Sequence, residues 1–152
     1  MAFTAQASNN QNFSSNASVD ITLSPTDAII EESNVKTGDS FSGALNVSNT
    51  GSIDSYYFVS ANWTPRNYSP SLTTILANTL TVSVVADPAD TEEVLFTGVL
   101  NDLLDQPASP GRELTLATGE EDVEFTISLP QDAGNIVQGL DVDIDFIFVA
   151  VD

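Results

Sequence analysis

The sequence predicts an all-β fold, an antiparallel jelly-roll-like β-sandwich with one or two short helices and an extended N-terminal segment. Apolar and polar residues alternate with a period of two over much of the 152-residue chain, which is typical of strands with one buried face. Gly, Pro, Asn and Asp separate the alternating runs, and no run of βαβ type occurs. A chain of this length is long enough to form one core.

Eight segments carry the strand pattern. The segment 53–63 differs from the others because Tyr56, Tyr57, Phe58 and Val59 are consecutive apolar residues, which predicts a central strand covered on both faces. The other predicted strands show the period-two alternation of a strand with one buried face. The predicted strands are 19–23, 41–47, 53–63, 79–87, 92–98, 112–118, 122–130 and 140–151.

Two short segments have helical spacing instead. Apolar residues recur at intervals of three and four in "SPSLTTILAN" and in "VLNDLLDQP", and a proline stands at a boundary of each. This pattern predicts short helices or helical turns that cap the sheets.

The chain is strongly acidic. Twenty-two Asp and Glu residues stand against three Lys and Arg residues, which gives a formal net charge of −19. Such a charge repels nucleic acid and anionic membranes, so we expect neither as a partner. We also expect no membrane insertion, because no apolar run approaches the length of a membrane span. A salty extracellular setting would screen the self-repulsion of the chain.

The composition excludes the common catalytic arrangements. The chain has no histidine and no cysteine, so Ser-His-Asp and Cys-His sites and imidazole or thiolate metal sites are excluded. Lys36 lies in a turn among acidic residues, which does not suit the uncharged lysine base that a Ser-Lys mechanism needs. We therefore expect no enzymatic activity.

The carboxylates offer weak candidates for a cation site. Asp141, Asp143 and Asp145 have the first spacings of an EF-hand loop, but Phe146 stands where that loop needs glycine. The alternation through this segment instead places the three carboxylates in a row on one face of a strand. Calcium is the one cofactor that we consider, and most such acidic positions are solvated surface. The candidate ligands are Asp87, Asp90, Glu92, Asp141 and Asp143.

The last predicted strand has a second apolar row. From residue 147 onward, Ile147, Val149 and Val151 occupy the face that the aspartates occupy earlier in the strand. An exposed apolar row on a sheet is prone to association, so something must cover it. A short helix or the second sheet is one candidate, and a neighbouring subunit is the other.

Five sequons of the form Asn-x-Ser/Thr occur in the chain. They would be glycan acceptors if the protein is exported through a glycosylating pathway. The acceptor residues are Asn12, Asn16, Asn46, Asn62 and Asn67.

Residues 1–18 carry no charged side chain. Phe3, Ala5 and Ala7 alternate with polar residues, so an extended segment would present one apolar face of mostly small side chains. The absence of charge suits a strand that enters a sheet, where a carboxylate would lose its hydration and be repelled by the acidic chain. The alternative is a disordered terminus.

Three stretches, taken together, carry a family resemblance. They are "AFTAQASNNQNFSSNASVDITL", "NVKTGDSFSGALNVSNTGSIDSYYFVSANW" and "VEFTISLPQDAGNIVQGLDVDIDFIFVAV", which cover both ends of the chain. In the order of the stretches along the chain and in their turn residues, they resemble the TasA/camelysin family of secreted matrix proteins. This family includes bacterial biofilm-fibre subunits and archaeal bundling-pilus subunits.

The resemblance implies a secreted jelly-roll subunit that forms a homopolymer, each copy completing a sheet of the next with its N-terminal strand. Residues 1–18 would then be the donor-strand segment and bridge, and residues 19–152 a single sandwich domain. The donor residues would be Phe3, Ala5 and Ala7, with Phe13 as an anchor and Ser8–Asn12 as a flexible bridge. Two alternatives remain: a secreted hydrolase of the camelysin type, and a monomeric surface binding or adhesion module.

Overall fold

The computed structural model describes residues 2–12, 19–33, 35–65, 70–133 and 141–152. Within them the chain forms two five-stranded sheets packed face to face, as predicted for an all-β sandwich. The strands are β1 (Ala2–Asn12), β2 (Ile21–Ser24), β3 (Ile30–Glu32), β4 (Ser40–Asn49), β5 (Ser55–Pro65), β6 (Thr81–Ala86), β7 (Glu93–Val99), β8 (Arg112–Leu114), β9 (Glu120–Ser128) and β10 (Asp141–Val151).

The first sheet has the strand order β3-β1-β10-β5-β8, and the second has the order β2-β4-β9-β6-β7. From β1 to β6 each strand lies in the sheet opposite to its predecessor, which gives the sandwich its jelly-roll-like character. In the described ranges, β1 pairs with β10 in parallel and the other strand pairs are antiparallel. The prediction of antiparallel sheets is wrong for this one pair, because alternation in the sequence does not specify strand direction.

Both segments predicted to be helical are helical, but each helix is shorter than the predicted segment. The first segment forms α1 (Pro70–Ala77), and the second forms a single 3-10 turn at Leu100–Asp102. Leu76 and Leu100 are buried, and α1 contacts both β5 and the 3-10 turn. These elements therefore close one end of the core between the sheets.

The core lies between the two sheets and is centred on β9 and β10. Phe125 of β9 stacks on Phe146 of β10 with ring centroids 4.1 Å apart, and Phe148 lies 6.1 Å from the same ring. The strand β5 contributes Tyr57, whose ring lies 5.5 Å from that of Phe148. All four rings are fully buried, so each contributes its full apolar area to the core.

The strand β5 differs from its prediction. Tyr57 and Val59 are buried, but Tyr56 and Phe58, on the other face, are only partly buried. The prediction that both faces of this strand are covered is therefore wrong for the described part of the chain. The apolar run in the sequence reflects one core face and one partly exposed face.

An ion-pair network ties the two sheets together beside the core. Arg112 of β8 donates two hydrogen bonds to the Glu121 carboxylate of β9, at 3.0 and 2.7 Å, and one to Glu93 of β7 at 2.6 Å. The Tyr57 hydroxyl donates to Glu121 at 2.6 Å. The Glu121 side chain is 3% exposed, so the guanidinium and the phenol supply the partners that a buried carboxylate requires.

The ion-pair network shifts the pKa values of Tyr57 and Arg112. Burial, followed by the nearby Glu121 charge, raises the pKa of Tyr57 well above its usual value. Hydrogen bonds to Glu121 raise the pKa of Arg112. Tyr57 therefore remains a neutral donor and Arg112 a cation throughout the physiological range.

We expect Glu121→Ala to lower the free energy of unfolding by about 3 kcal/mol, because breaking a buried ion pair leaves its partner charge uncompensated. Tyr57→Phe removes one hydrogen bond and is expected to cost about 1 kcal/mol. Urea unfolding of both variants measures these costs. Glu120→Ala, at an exposed neighbouring position, is the control, and an equal midpoint for Glu120→Ala and Glu121→Ala would contradict the assignment.

Candidate functional site: the N-terminal strand and its groove

The N-terminal strand β1 lies in a groove between β3 and β10. It pairs with β10 in parallel register from Ala2 opposite Asp141 to Asn12 opposite Ala150. On its other side it pairs with β3 only over Phe3, Thr4 and Ala5, and the Ile29 amide donates to the Ala5 carbonyl at 2.9 Å. Among the described residues, the first half of β1 is therefore hydrogen-bonded along both edges, and the second half along one edge.

Two small side chains of β1 point into the core. Ala5 is fully buried and Ala7 is 8% exposed, whereas Gln6 between them is exposed. Ala5 lies beside Ile144, and Ala7 beside Phe146, in the neighbouring strand. The predicted apolar face of the N-terminal segment is present at these two positions, and it covers the large side chains of β10.

The predicted bridge is part of the strand. Ser8–Asn12 continue β1, with an irregularity in register between Asn9 and Gln11. Residues 13–18 separate this strand from Val19, the first core residue that follows. The side chain of Phe3, and the whole of Phe13, lie outside the described residues.

The far wall of the groove, β3, is a feature that the sequence prediction missed. Its three residues are too few to establish an alternation, and its only apolar signal is the pair Ile29-Ile30. Gly43 of β4 allows the wall to pack closely, because a Cβ at this position would lie 2.4 Å from the Ile29 carbonyl oxygen. A glycine on the core face of an otherwise regular strand often marks the close approach of another backbone segment, so Gly43 is the signal in the sequence that could have indicated β3.

The row of aspartates on β10 is present as predicted. Asp143 is exposed and Asp145 partly buried, while Val142, Ile144 and Phe146 between and beside them are buried. In register, Gln6 of β1 lies on one side of Asp145 and Asn62 of β5 on the other. These strands line a shallow cleft of about 390 Å³, formed mainly by Thr4, Gln6, Asn62, Thr64, Asp143 and Asp145.

Asp145 is the aspartate of this row that contacts β1 through Ser8. The Ser8 hydroxyl lies 3.5 Å from both carboxylate oxygens of Asp145, which is a long hydrogen bond. Burial raises the pKa of Asp145, and the hydrogen bond from Ser8 acts in the opposite direction. Burial has the larger effect, so the ionised carboxylate is less stable here than in water.

The five candidate cation ligands are not brought together. Asp87 follows β6 of the second sheet, and its carboxylate accepts hydrogen bonds from the Thr91 hydroxyl and amide, which lower the pKa of Asp87. Asp90 and Glu92 lie in the same turn, whereas Asp141 and Asp143 lie on β10 of the first sheet. Within the described ranges, no group of three carboxylates is placed to hold a metal ion.

The sequons fall on both sheets. Asn62 is exposed on β5, and Asn46 is partly buried on β4, where its amide donates to Asp122 at 3.3 Å and its carbonyl accepts from Ser48 at 3.0 Å. Asn12 ends β1. Asn16 and Asn67 lie outside the described residues, so glycosylation at all five positions remains a prediction.

The apolar row of β10 lies on the outer face of the first sheet, opposite to the core. Ile147, Val149 and Val151 are partly buried there, and Phe58 and Tyr56 of β5 lie beside Val149 and Val151. In the described part of the chain, the elements that pack closely on β10 within its own sheet are β1 and β5. The second sheet packs on the opposite, core face, and the buried residues of α1, Leu76 and Ala77, belong to that core.

No protein-family model matches this chain, and no curated protein matches it either. The resemblance to the TasA/camelysin family therefore stays a prediction from the sequence. Among the described residues, no helix is long and apolar enough to cross a membrane.

We expect Asp145→Asn to stabilise the fold more at about pH 7 than at about pH 3. The raised pKa means that the folded chain keeps the Asp145 proton at a higher pH than the unfolded chain does. The free energy of unfolding therefore falls as the pH rises from the unfolded pKa through the folded pKa, and the cost persists at neutral pH. Thermal unfolding of wild type and variant at both pH values measures this difference. The exposed Asp90→Asn is the control, and an equal effect of both substitutions at both pH values would refute the expectation.

Proposed function

We propose that this chain is the structural subunit of an extracellular filament, a pilus or a biofilm matrix fibre, that polymerises by donor-strand complementation through its N-terminal segment. One observation carries the proposal. The N-terminal strand is uncharged, fills a groove between two strands of the sandwich, and is joined to the remaining core by residues 13–18 alone.

The groove needs an occupant. Without β1, the edges of β3 and β10 would lose their hydrogen-bonding partner, and the buried side chains of Ile144 and Phe146 would be uncovered. Unpaired edges beside apolar side chains bind another strand readily. The occupant can come from the same chain or from a second copy, since both would make the same contacts in the groove.

Exchange of this strand between copies generates an open assembly. If each copy gives β1 to the next, the contact joins two different surfaces, the strand of one copy and the groove of another. Contacts of this type form filaments when the rotation does not close a ring. Because the groove contacts are equal in the closed and the exchanged states, protein concentration and the length of the connecting segment decide the balance.

The charge distribution supports the same proposal. The net charge of −19 opposes contact between copies, yet β1 brings no charge into the groove of its neighbour. At the salt concentration of an extracellular medium the repulsion between the bodies is screened beyond about 8 Å. Secretion is part of this proposal, as is the absence of a catalytic role.

A monomeric binding or adhesion module is the second candidate, and one observation favours it. Ala5 and Ala7 are buried in the chain's own sheet, so a closed monomer already satisfies its groove. The third alternative, a hydrolase of the camelysin type, stays an alternative from the sequence. The two experiments that follow distinguish a polymer from a closed monomer.

We expect Ala5→Asp to abolish filaments, because it places a carboxylate at a fully buried position next to Ile144. Electron microscopy and sedimentation of the concentrated protein in salt measure the outcome. Ala89→Asp, the same change at an exposed turn, is the control and should leave filaments intact. Ordered filaments from Ala5→Asp would show that β1 does not occupy a groove in the polymer.

We expect cysteines at Gln6 and Asp145 to trap strand exchange between copies. The two positions are register partners in neighbouring strands, about 4.8 Å apart, which suits a disulfide. The chain has no native cysteine to interfere. A mixture of the Gln6→Cys chain and the Asp145→Cys chain should give a covalent heterodimer under oxidising conditions.

The control for this experiment pairs the Gln6→Cys chain with an Ala89→Cys chain, which should remain unlinked. A chain carrying both Gln6→Cys and Asp145→Cys tests whether the disulfide geometry is sound. If that double variant closes within one chain while the mixture of single variants gives no heterodimer, the strand stays with its own copy and the polymer proposal fails.

A further inference from the structure

The outer face of the first sheet has two unlike halves. Toward the start of β10 it carries the aspartate row, and toward the end it carries an outer apolar patch, defined by Tyr56, Phe58, Ile147, Val149 and Val151. The patch residues do not belong to the core cluster and do not pack against it. They form a partly exposed apolar surface on a chain of net charge −19.

We propose that this outer apolar patch is the surface on which the body of the strand-donating copy packs. The inference rests on the proposed function, and it identifies the contact between subunit bodies that accompanies strand exchange. The argument depends on the direction of β1 in the groove and on the length of chain that follows it.

The parallel register fixes where the donor body must lie. The last residue of β1, Asn12, is opposite Ala150, so an exchanged strand would leave the groove at the end of the acceptor's β10. Seven Cα steps separate Asn12 from Val19, the next core residue of the donor. A chain of that length spans at most about 25 Å when fully extended.

The patch lies within that reach, and the aspartate row lies farther away. Val149 and Val151 flank Ala150 in β10, and the partners of these two residues in β5 are Phe58 and Tyr56, about 4.8 Å across the sheet. Asp143 is seven residues from Ala150, about 23 Å along the strand. The patch is therefore the part of this face nearest to the point where the exchanged strand leaves the groove, and Asp143 is at the limit of the reach.

The apolar area of the patch also favours this placement. Two copies of net charge −19 repel each other wherever their carboxylates approach, and two carboxylates border the patch: Glu113 accepts a hydrogen bond from Tyr56, and Asp105 accepts one from Ser60, the register partner of Ile147. A contact centred on Val149 buries apolar area between these carboxylates. The tether raises the local concentration of the donor body, so even a small patch contributes to the stability of the polymer.

The experiment compares Val149→Glu with Val85→Glu in the full chain. Val85 is partly buried on the outer face of β6 in the second sheet, where its register partner in β9 is Glu124. It therefore receives the same substitution on the opposite sheet, beside a carboxylate that makes it the more demanding position for a new charge. Filament mass by sedimentation reports assembly, and the disulfide between Gln6→Cys and Asp145→Cys chains reports strand exchange. We expect Val149→Glu to lower filament mass by about tenfold or more while the disulfide still traps exchanged strands.

The outcomes separate the two proposals. Filament mass from Val149→Glu equal to that of wild type and Val85→Glu overturns the inference alone, since the intermolecular disulfide still forms. If the wild-type chain forms no filaments and the mixture of Gln6→Cys and Asp145→Cys chains gives no heterodimer, the proposed function and the inference are overturned together. If Val149→Glu fails to fold, Val149→Thr replaces it in the experiment, because threonine has nearly the shape of valine. We expect Val149→Thr to lower filament mass by about fivefold, because its hydroxyl would be buried in the contact. An unchanged filament mass would overturn the inference.

Discussion

The parallel pairing of β1 with β10 is the interaction on which the first sheet depends. The strand β10 supplies Phe146 and Phe148, which contact Phe125 of the second sheet and Tyr57 of β5. Among the described residues, one edge of β10 is paired with β5 and the other with β1. The pairing along that second edge, and the small side chain beside Ile144, thus come from an N-terminal strand that a segment of six residues joins to the body.

The side chains of β1 explain how a terminal strand can be both well fitted and exchangeable. Ala5 and Ala7 fill the core side without bulk, so insertion requires little rearrangement of the larger residues beside them. The strand itself brings no charged side chain that has to be desolvated when it enters the groove. Among the described residues, the buried carboxylate is that of Glu121; its charge is balanced by Arg112, and one of its oxygens accepts a hydrogen bond from Tyr57.

The groove was only partly predictable from the sequence. The apolar spacing of Ala5 and Ala7 predicted an extended segment that buries small side chains, and the structure places both in the core. The wall formed by β3 was not predicted, because three residues are too short for a period. The strand character of Ser8–Asn12 was not predicted either, since Ser and Asn favour turns locally. Among the described residues, the adjacent edge of β10 provides the pairing that holds this segment extended.

The sequence by itself determined the fold class, because period-two alternation and turn residues depend on local geometry, and all eight predicted strands are present. It also determined that the three aspartates and the three aliphatic residues of β10 share one face, since successive residues of a strand alternate. Only the tertiary structure decided the partner and direction of β1 and the exposure of that shared face. Those properties depend on which distant segments meet, and a local pattern carries no information about contacts between residues more than a hundred positions apart.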